Sequence, residues 1–219
     1  MKKNGKLILC VLVILSIFII PGIFYELLSF IKNESVRNLL SNIIYLIILG
    51  LIYKKEILHG LKDLKKNYKK VINTGFKYWC LGILIMVVSN LIINFIIFSG
   101  EIASNEELVR ENLLGNPIFG IISACFIAPF LEELIFRVSL NRVIKNKYFY
   151  AITTGLIFGL LHAITDLTAW IDLIYIIPYG ALGYCFGLMY KETDNMFTSI
   201  FMHMLHNTMS CILIFSVLG

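Results

Sequence analysis

The chain has 219 residues, 58% of them hydrophobic and 15% charged, with a formal charge of +5 and a mean hydropathy of +0.83. A soluble domain of this length carries more charge and shorter apolar runs, so composition excludes an ordinary water-soluble enzyme. The positive excess then reports membrane topology rather than a nucleic-acid surface, and five scattered cysteines without a Cys-x-x-Cys pair argue against a disulfide scaffold or a cysteine metal site.

The first apolar run, Leu7–Phe30, follows Lys2, Lys3 and Lys6. No small-x-small cleavage site follows it, and Pro21-Gly-Ile-Phe24 keeps it apolar, which predicts an uncleaved anchor helix. Six further runs are long enough, or nearly so, to cross a hydrocarbon core: Leu39–Tyr53, Trp79–Phe98, Pro117–Leu140, Tyr148–His162, Leu173–Tyr190 and Met196–Leu218. The second and fifth are short, and each needs a turn from its polar flank or a re-entrant path. The expected architecture is an all-α, polytopic membrane helix bundle of about seven transmembrane helices in one integral membrane domain, 1–219. Within it we distinguish N-terminal helices (7–116) with a basic connector at 54–77, and a helical core (117–219).

Charge placement gives orientation. With the N-terminus in the cytoplasm, fifteen of the nineteen Lys and Arg residues fall on cytoplasmic segments. Three (Lys32, Arg37 and Arg110) fall outside, and Arg137 lies within a span. That asymmetry places the N-terminus inside and the C-terminus outside a multi-pass cell membrane, with a bacterial cytoplasmic membrane as the expectation. Tyr53, Tyr78, Trp79, Tyr148, Tyr150, Trp170 and Tyr190 sit near span ends, as interfacial aromatics do. The connector Lys54–Lys77 repeats Ile57, Leu58, Leu61, Leu64 and Tyr68 at helical spacing among lysines, which predicts a helix lying on the anionic inner leaflet. A solvated connector is the plainer alternative. The outer loop Ser99–Asn116 is acidic on balance and is expected to carry a short helix around Asn105–Leu113.

Charges inside the fourth span are costly, about 2.5–3.5 kcal/mol each on insertion scales, and call for a reason. Glu133 and Arg137 are four apart and can pair in the favourable acid-first order. Glu132 points about 100° away from Glu133. It is left without that partner, available to take a proton. Pro129 removes a backbone donor three residues earlier and predicts a kink. The fifth span ends in Phe158-Gly-Leu-Leu-His162, where an ordinary interfacial histidine is the bland reading. The seventh contains His203-Met-Leu-His206-Asn207, with His203 and Asn207 one turn apart and able to offer two donors to one oxygen.

Depth brings these residues together. At 1.5 Å per residue, Glu132 lies ~15 Å, His162 ~21 Å, His203 ~12 Å and Asn207 ~18 Å from the expected cytoplasmic edge, comparable levels in a core of about 30 Å. There is no His-Glu-x-x-His zinc motif, and Ser123 and Ser199 lack a Gly-x-Ser-x-Gly setting. Asp166, Asp172 and Asp194 fall outside the spans or at their ends, which disfavours an aspartyl pair.

Glu132-Glu133-x-x-x-Arg137, Phe158-x-x-x-His162 and His203-x-x-x-Asn207, in order on separate spans, resemble the CPBP family of intramembrane proteases. That family includes type II CAAX prenyl endopeptidases and bacteriocin-processing or self-immunity proteins of the Abi type. The resemblance covers roughly Pro117 to the C-terminus. Val138 follows Arg137 where the family often has an aromatic or small residue. The resemblance implies peptide-bond hydrolysis within the membrane, with Glu132 activating a water that His162 shares or orients. His203 and Asn207 would stabilise the oxyanion, while Glu133 and Arg137 hold the helix and tune Glu132. A glutamate-activated water without metal is the expectation; a zinc ion on Glu132, His162 and His203 is the alternative, with His206 as a spare ligand or a group behind them. Expected partners are the lipid bilayer and a peptide or lipid-anchored protein substrate, and no nucleic acid. Two other functions stay open: a catalytically inactive immunity or sensor protein, and a proton-coupled transporter relaying protons through the same groups.

Overall fold

The computed structural model describes residues 3–98, 110–111, 113–164 and 170–218. Among them the chain is helical, with no strand. In chain order the helices are α1 (Lys3–Ser16), α2 (Ile20–Leu27), α3 (Glu34–Ile52) and α4 (Lys54–Ile93), then α5 (Pro117–Asn141), α6 (Lys147–Ile164), α7 (Ile176–Thr193) and α8 (Met196–Leu218). Among the described residues, six helices are long and apolar enough to cross a membrane, and the bent pair α1 and α2 would make a seventh. Leu12, Leu51, Leu84, Leu91, Phe95, Leu156 and Leu213 stand exposed along their outer faces. On this scale, such surface belongs against lipid rather than water. The protein is a multi-pass membrane helix bundle.

Two spans differ from the sequence reading. The run Leu7–Phe30 is not one anchor helix: α1 and α2 are bent by 48° across Ile17–Ile19. Pro21 supplies no N–H to continue the ladder and sits instead in the first turn of α2, where no donor is needed. The basic connector is helical and leads into the third span: α4 covers both, with a kink at Asn67, whose dihedrals are non-helical, separating the lysine-rich part from the apolar part. Its lysine-rich half packs on the bundle end. Asn195 donates to Gly60 O (3.0 Å) and to Asp63 Oδ2 (2.8 Å). Its own Oδ1 accepts from Phe197 N (3.0 Å), capping α8.

The short second and fifth runs each gain length from their flanks, as α3 and α6. Asn33 caps α3 by accepting from Val36 N at 3.1 Å. The sixth span opens with a tight 3₁₀ stretch, Trp170–Tyr175, before α7. The helix expected around Asn105–Leu113, and Asp166, lie largely or wholly outside the described residues.

The core centres on α6 and α7, which touch backbone to backbone. A Cβ on Gly159 would stand 2.6 Å from Ile176 O, and one on Gly155 would stand 2.7 Å from Gly180 O. Small residues allow this approach where lipid supplies no hydrophobic drive between helices. The close crossing fixes where Phe158 and His162 sit relative to α7.

Candidate active site

Around its carboxylates α5 is not a plain α-helix. Pro129 has no N–H to give, and the preceding residues Ser123–Ile127 widen into a π turn, with Ala128 N–H donating to Ser123 O. A second π turn spans Glu133–Val138 and closes with Ser139 N–H on Leu134 O. Glu132 is therefore the last α-helical residue between two widened turns, a device common at functional sites.

Glu133 and Arg137 pair at 3.2 Å with no exposure of either side chain. Arg137 Nη2 donates to Gly183 O (3.2 Å). The guanidinium lies 4.7 Å from the Phe158 ring centroid and 5.5 Å from that of Phe186. Behind it Tyr150 donates to Arg137 O at 2.9 Å. A buried charge pair is tolerable only with such additional partners.

Glu133 has a second task that the sequence did not suggest. Its Oε1 lies 3.1 Å from His203 Nδ1. A carboxylate paired with Arg137 accepts, so His203 carries its hydrogen on Nδ1 and presents a lone pair at Nε2. His162 follows the same logic. Its Nδ1 meets Phe158 O at 2.9 Å, and a carbonyl can only accept. The ring is clamped between Phe158 (centroids 4.2 Å apart) and Tyr179 (5.2 Å). Both free Nε2 atoms face Glu132 Oε2, at 4.0 Å from His162 and 3.8 Å from His203. That oxygen is buried and has no hydrogen-bond partner. Three lone-pair acceptors converge with no donor among them.

Such an arrangement suits a molecule that brings hydrogens, such as water, or a cation. The chemistry of the donors is right for zinc, since each imidazole is oriented from behind. The spacing is not. Ligands held at about 2.0–2.2 Å on a tetrahedral zinc stand about 3.3–3.5 Å apart, and these separations are 3.8 and 4.0 Å. Among the described residues, no group of three or more His, Cys, Asp or Glu is placed to hold a metal ion.

Asn207 Nδ2 donates to Ala124 O (2.7 Å), a carbonyl in the first π turn. This ties α8 to α5 and leaves one amide hydrogen free for another acceptor. His206 lies on the neighbouring face of α8 and lines the same cavity as Asn207. That cavity holds about 1050 Å³, with Glu132, His162 and His203 among the lining residues. Glu132, His162, His203 and Asn207 thus share one pocket, while Glu133 and Arg137 lie fully buried behind it.

The family model for type II CAAX prenyl endopeptidase Rce1-like proteins matches residues 114–209, which include every residue of this site. The segment that carries the site is thus similar to the Rce1-like family. Relatives extend the likeness beyond that segment. YdiL of Bacillus subtilis (strain 168), whose name marks it as a candidate membrane peptidase, is 27% identical over 173 residues, covering 76% of this chain and 64% of that protein. The UPF0177 protein YvdC of Lactococcus lactis is 32% identical over 114 residues, covering 51% and 41%. An uncharacterized protein of Mycoplasma capricolum is 27% identical over 169 residues, covering 72% and 48%. The chain spans about two-fifths to two-thirds of the length of these relatives. No solved structure matches it significantly.

Sequence reasoning missed the glycines that set the α6–α7 contact. Gly155-x-x-x-Gly159 and Gly183-x-x-x-Gly187 were available as close-packing signals. The link from Glu133 to His203 had no such signal, because it joins residues 70 apart.

Proposed function

We propose that this chain is an intramembrane endopeptidase of a bacterial cytoplasmic membrane, which hydrolyses a peptide bond by means of a water activated by Glu132. The observation that carries this reading is the convergence of His162 Nε2 and His203 Nε2 on Glu132 Oε2, a buried oxygen without a hydrogen-bond partner, in the wall of a large cavity. The match to the Rce1-like family model and the name of the Bacillus subtilis relative support the reaction class.

In the proposed reaction a water sits among the three acceptors and donates a hydrogen to Glu132. As the water oxygen bonds to the scissile carbonyl carbon, that proton moves to the Glu132 carboxylate. The other hydrogen is held by a histidine Nε2. The carbonyl oxygen gains the negative charge and takes a hydrogen bond from the remaining amide hydrogen of Asn207. His203 joins as a donor only when its Nε2 carries a proton, and Glu133 behind Nδ1 favours that state. Collapse of the adduct breaks the C–N bond, and the proton on Glu132 passes to the departing amine. No step needs a metal, and the wide acceptor spacing supports the metal-free form. The substrate is a peptide precursor or a membrane-associated protein.

The test uses purified protein in detergent and a set of apolar quenched-fluorescent peptides, with and without a chelator. Cleavage by the wild type, its loss in Glu132→Gln and His162→Ala, and indifference to chelator are expected. Unchanged cleavage by Glu132→Gln would overturn the base. Loss on chelation with recovery on added zinc would overturn the metal-free mechanism.

A further inference from the structure

The two ends of the bundle differ in a way that decides how a substrate reaches Glu132. At one end the fold gathers the basic residues and ties them down. Arg142 pairs with Glu56 (2.5 Å), Lys147 with Glu192 (2.8 Å), and Lys191 donates to Ile144 O (2.8 Å). The lysine-rich half of α4 is fastened to the same end through Asn195. By the positive-inside rule this end is cytoplasmic.

The cavity runs the other way. Among the described residues, its other end is lined by Glu34, Ser35 and Asn38 at the start of α3, Asn90 near the end of α4, and Arg110 and Asn116 before α5. Each belongs to the end of its helix remote from the lysines. Deeper in, the wall reaches Glu132, His203 and Asn207. Between these residues and the lysine end lies a closed floor. Glu133, Arg137, Tyr150 and Phe186 have no exposure, and below them Tyr53 and Ser139 are hydrogen-bonded through their hydroxyls. A polypeptide approaching from the lysine end meets packed rings and a buried ion pair, whereas at the opposite end the described residues line the cavity with polar side chains.

We infer that the site is fed from the outer face of the membrane, so that its substrate is an exported peptide or the outward-facing juxtamembrane segment of an anchored protein. The substrate half of this inference rests on the proteolytic reading; the sidedness does not. A prenylated C-terminus, made in the cytoplasm, is on the closed side and is not the substrate of this chain.

The test reads sidedness without catalysis. In a background with all five cysteines replaced by alanine, single cysteines are introduced as Ser35→Cys at the polar end of the cavity, Ser210→Cys on the cavity wall and Lys66→Cys on the basic half of α4. A membrane-impermeant sulfonated maleimide is added to intact cells and to permeabilised cells. Ser35→Cys and Ser210→Cys are expected to label in intact cells, and Lys66→Cys only after permeabilisation. The reverse pattern, or a Ser210→Cys variant that labels in neither, would overturn the inference. Should the cysteine-free chain fail to fold, alkaline phosphatase fused after Gly219 of the natural sequence gives a second reading. Activity is expected, since that enzyme works only outside the cytoplasm, and an inactive fusion at normal expression would overturn the inference. The substrate half is tested by tethering one cleavable peptide to a membrane anchor in each orientation. Cleavage of the outward form alone, abolished by Glu132→Gln, is expected. Cleavage of the inward form alone overturns the sidedness while leaving proteolysis intact. Outward labelling with neither form cut removes the substrate half together with the proteolytic reading.

Discussion

Nδ1 of His203 lies 3.1 Å from Oε1 of Glu133, the same oxygen that Arg137 approaches at 3.2 Å. One carboxylate oxygen therefore neutralises a buried guanidinium and fixes the direction of a histidine on another helix. Glu133→Gln keeps the shape but removes the charge, leaving Arg137 uncompensated. The expected cost is about 3–5 kcal/mol of stability, with activity falling in parallel. Adding Arg137→Met should restore part of the stability without restoring activity, because no negative charge stands behind His203 Nδ1. Thermal unfolding in detergent and peptide cleavage, measured on both variants, separate the two effects.

Glu132 behaves in the opposite way. Its Oε2 makes no hydrogen bond, so the fold gains little from its charge. Glu132→Gln should leave the thermal midpoint within the range of about ±0.5 kcal/mol typical of uninvolved sites. The same variant should lose about 10²–10⁴-fold in turnover, the usual worth of a general base. A variant equally damaged in both respects would mark Glu132 as structural.

The α6–α7 crossing gives a contrast between two glycines. A methyl on Gly159 meets backbone at 2.6 and 2.8 Å, which cannot yield by a rotamer change. Gly159→Ala should cost about 1–3 kcal/mol and displace His162, one turn further along. Gly50→Ala, with nothing within 4 Å, should be neutral or stabilising by up to about 1 kcal/mol. Melting curves of the two variants, run side by side, check the ordering.

At the lysine-rich end, outside the apolar part of α4, Asp63 accepts from Asn195 and from Asn67 Nδ2 (2.6 Å). These amide donors hold its carboxyl below the usual carboxylate range. A group with a depressed folded value stabilises fully above its unfolded value, about 3.9 for Asp, and ceases to as pH falls through the lower folded value. Asn195→Ala also removes a helix cap and a partner of Gly60 O, so a loss of about 1–3 kcal/mol is expected near neutral pH. The gap between wild type and variant should stay constant from pH 8 to 5 and narrow below about pH 4. A gap that widens on acidification would contradict the assignment.

Much of this protein was legible along the chain. Apolar run length identified the spans, because a bilayer core demands about 20 apolar residues whatever the fold. Lysine placement gave an expected orientation for an equally local reason. The candidate site residues stood out because ionisable groups are conspicuous in an apolar helix, and their expected depth follows from a fixed rise per residue. Those rules fail where a position depends on a partner helix. Nothing local foretold that the connector would continue α4 and dock on Asn195, since that contact joins residues 135 and 132 apart in sequence. Nor did spacing reveal the two π turns that flank Glu132, because a widened turn depends on which backbone donors find acceptors. Tertiary packing alone turned both imidazoles so that their free nitrogens face one carboxylate oxygen, and it closed the floor beneath them. Sequence determined which residues are buried in lipid and at what depth. Direction and access were decided by helices in contact, because a side chain's hydrogen-bond partner on a distant segment exists only once the chain has folded.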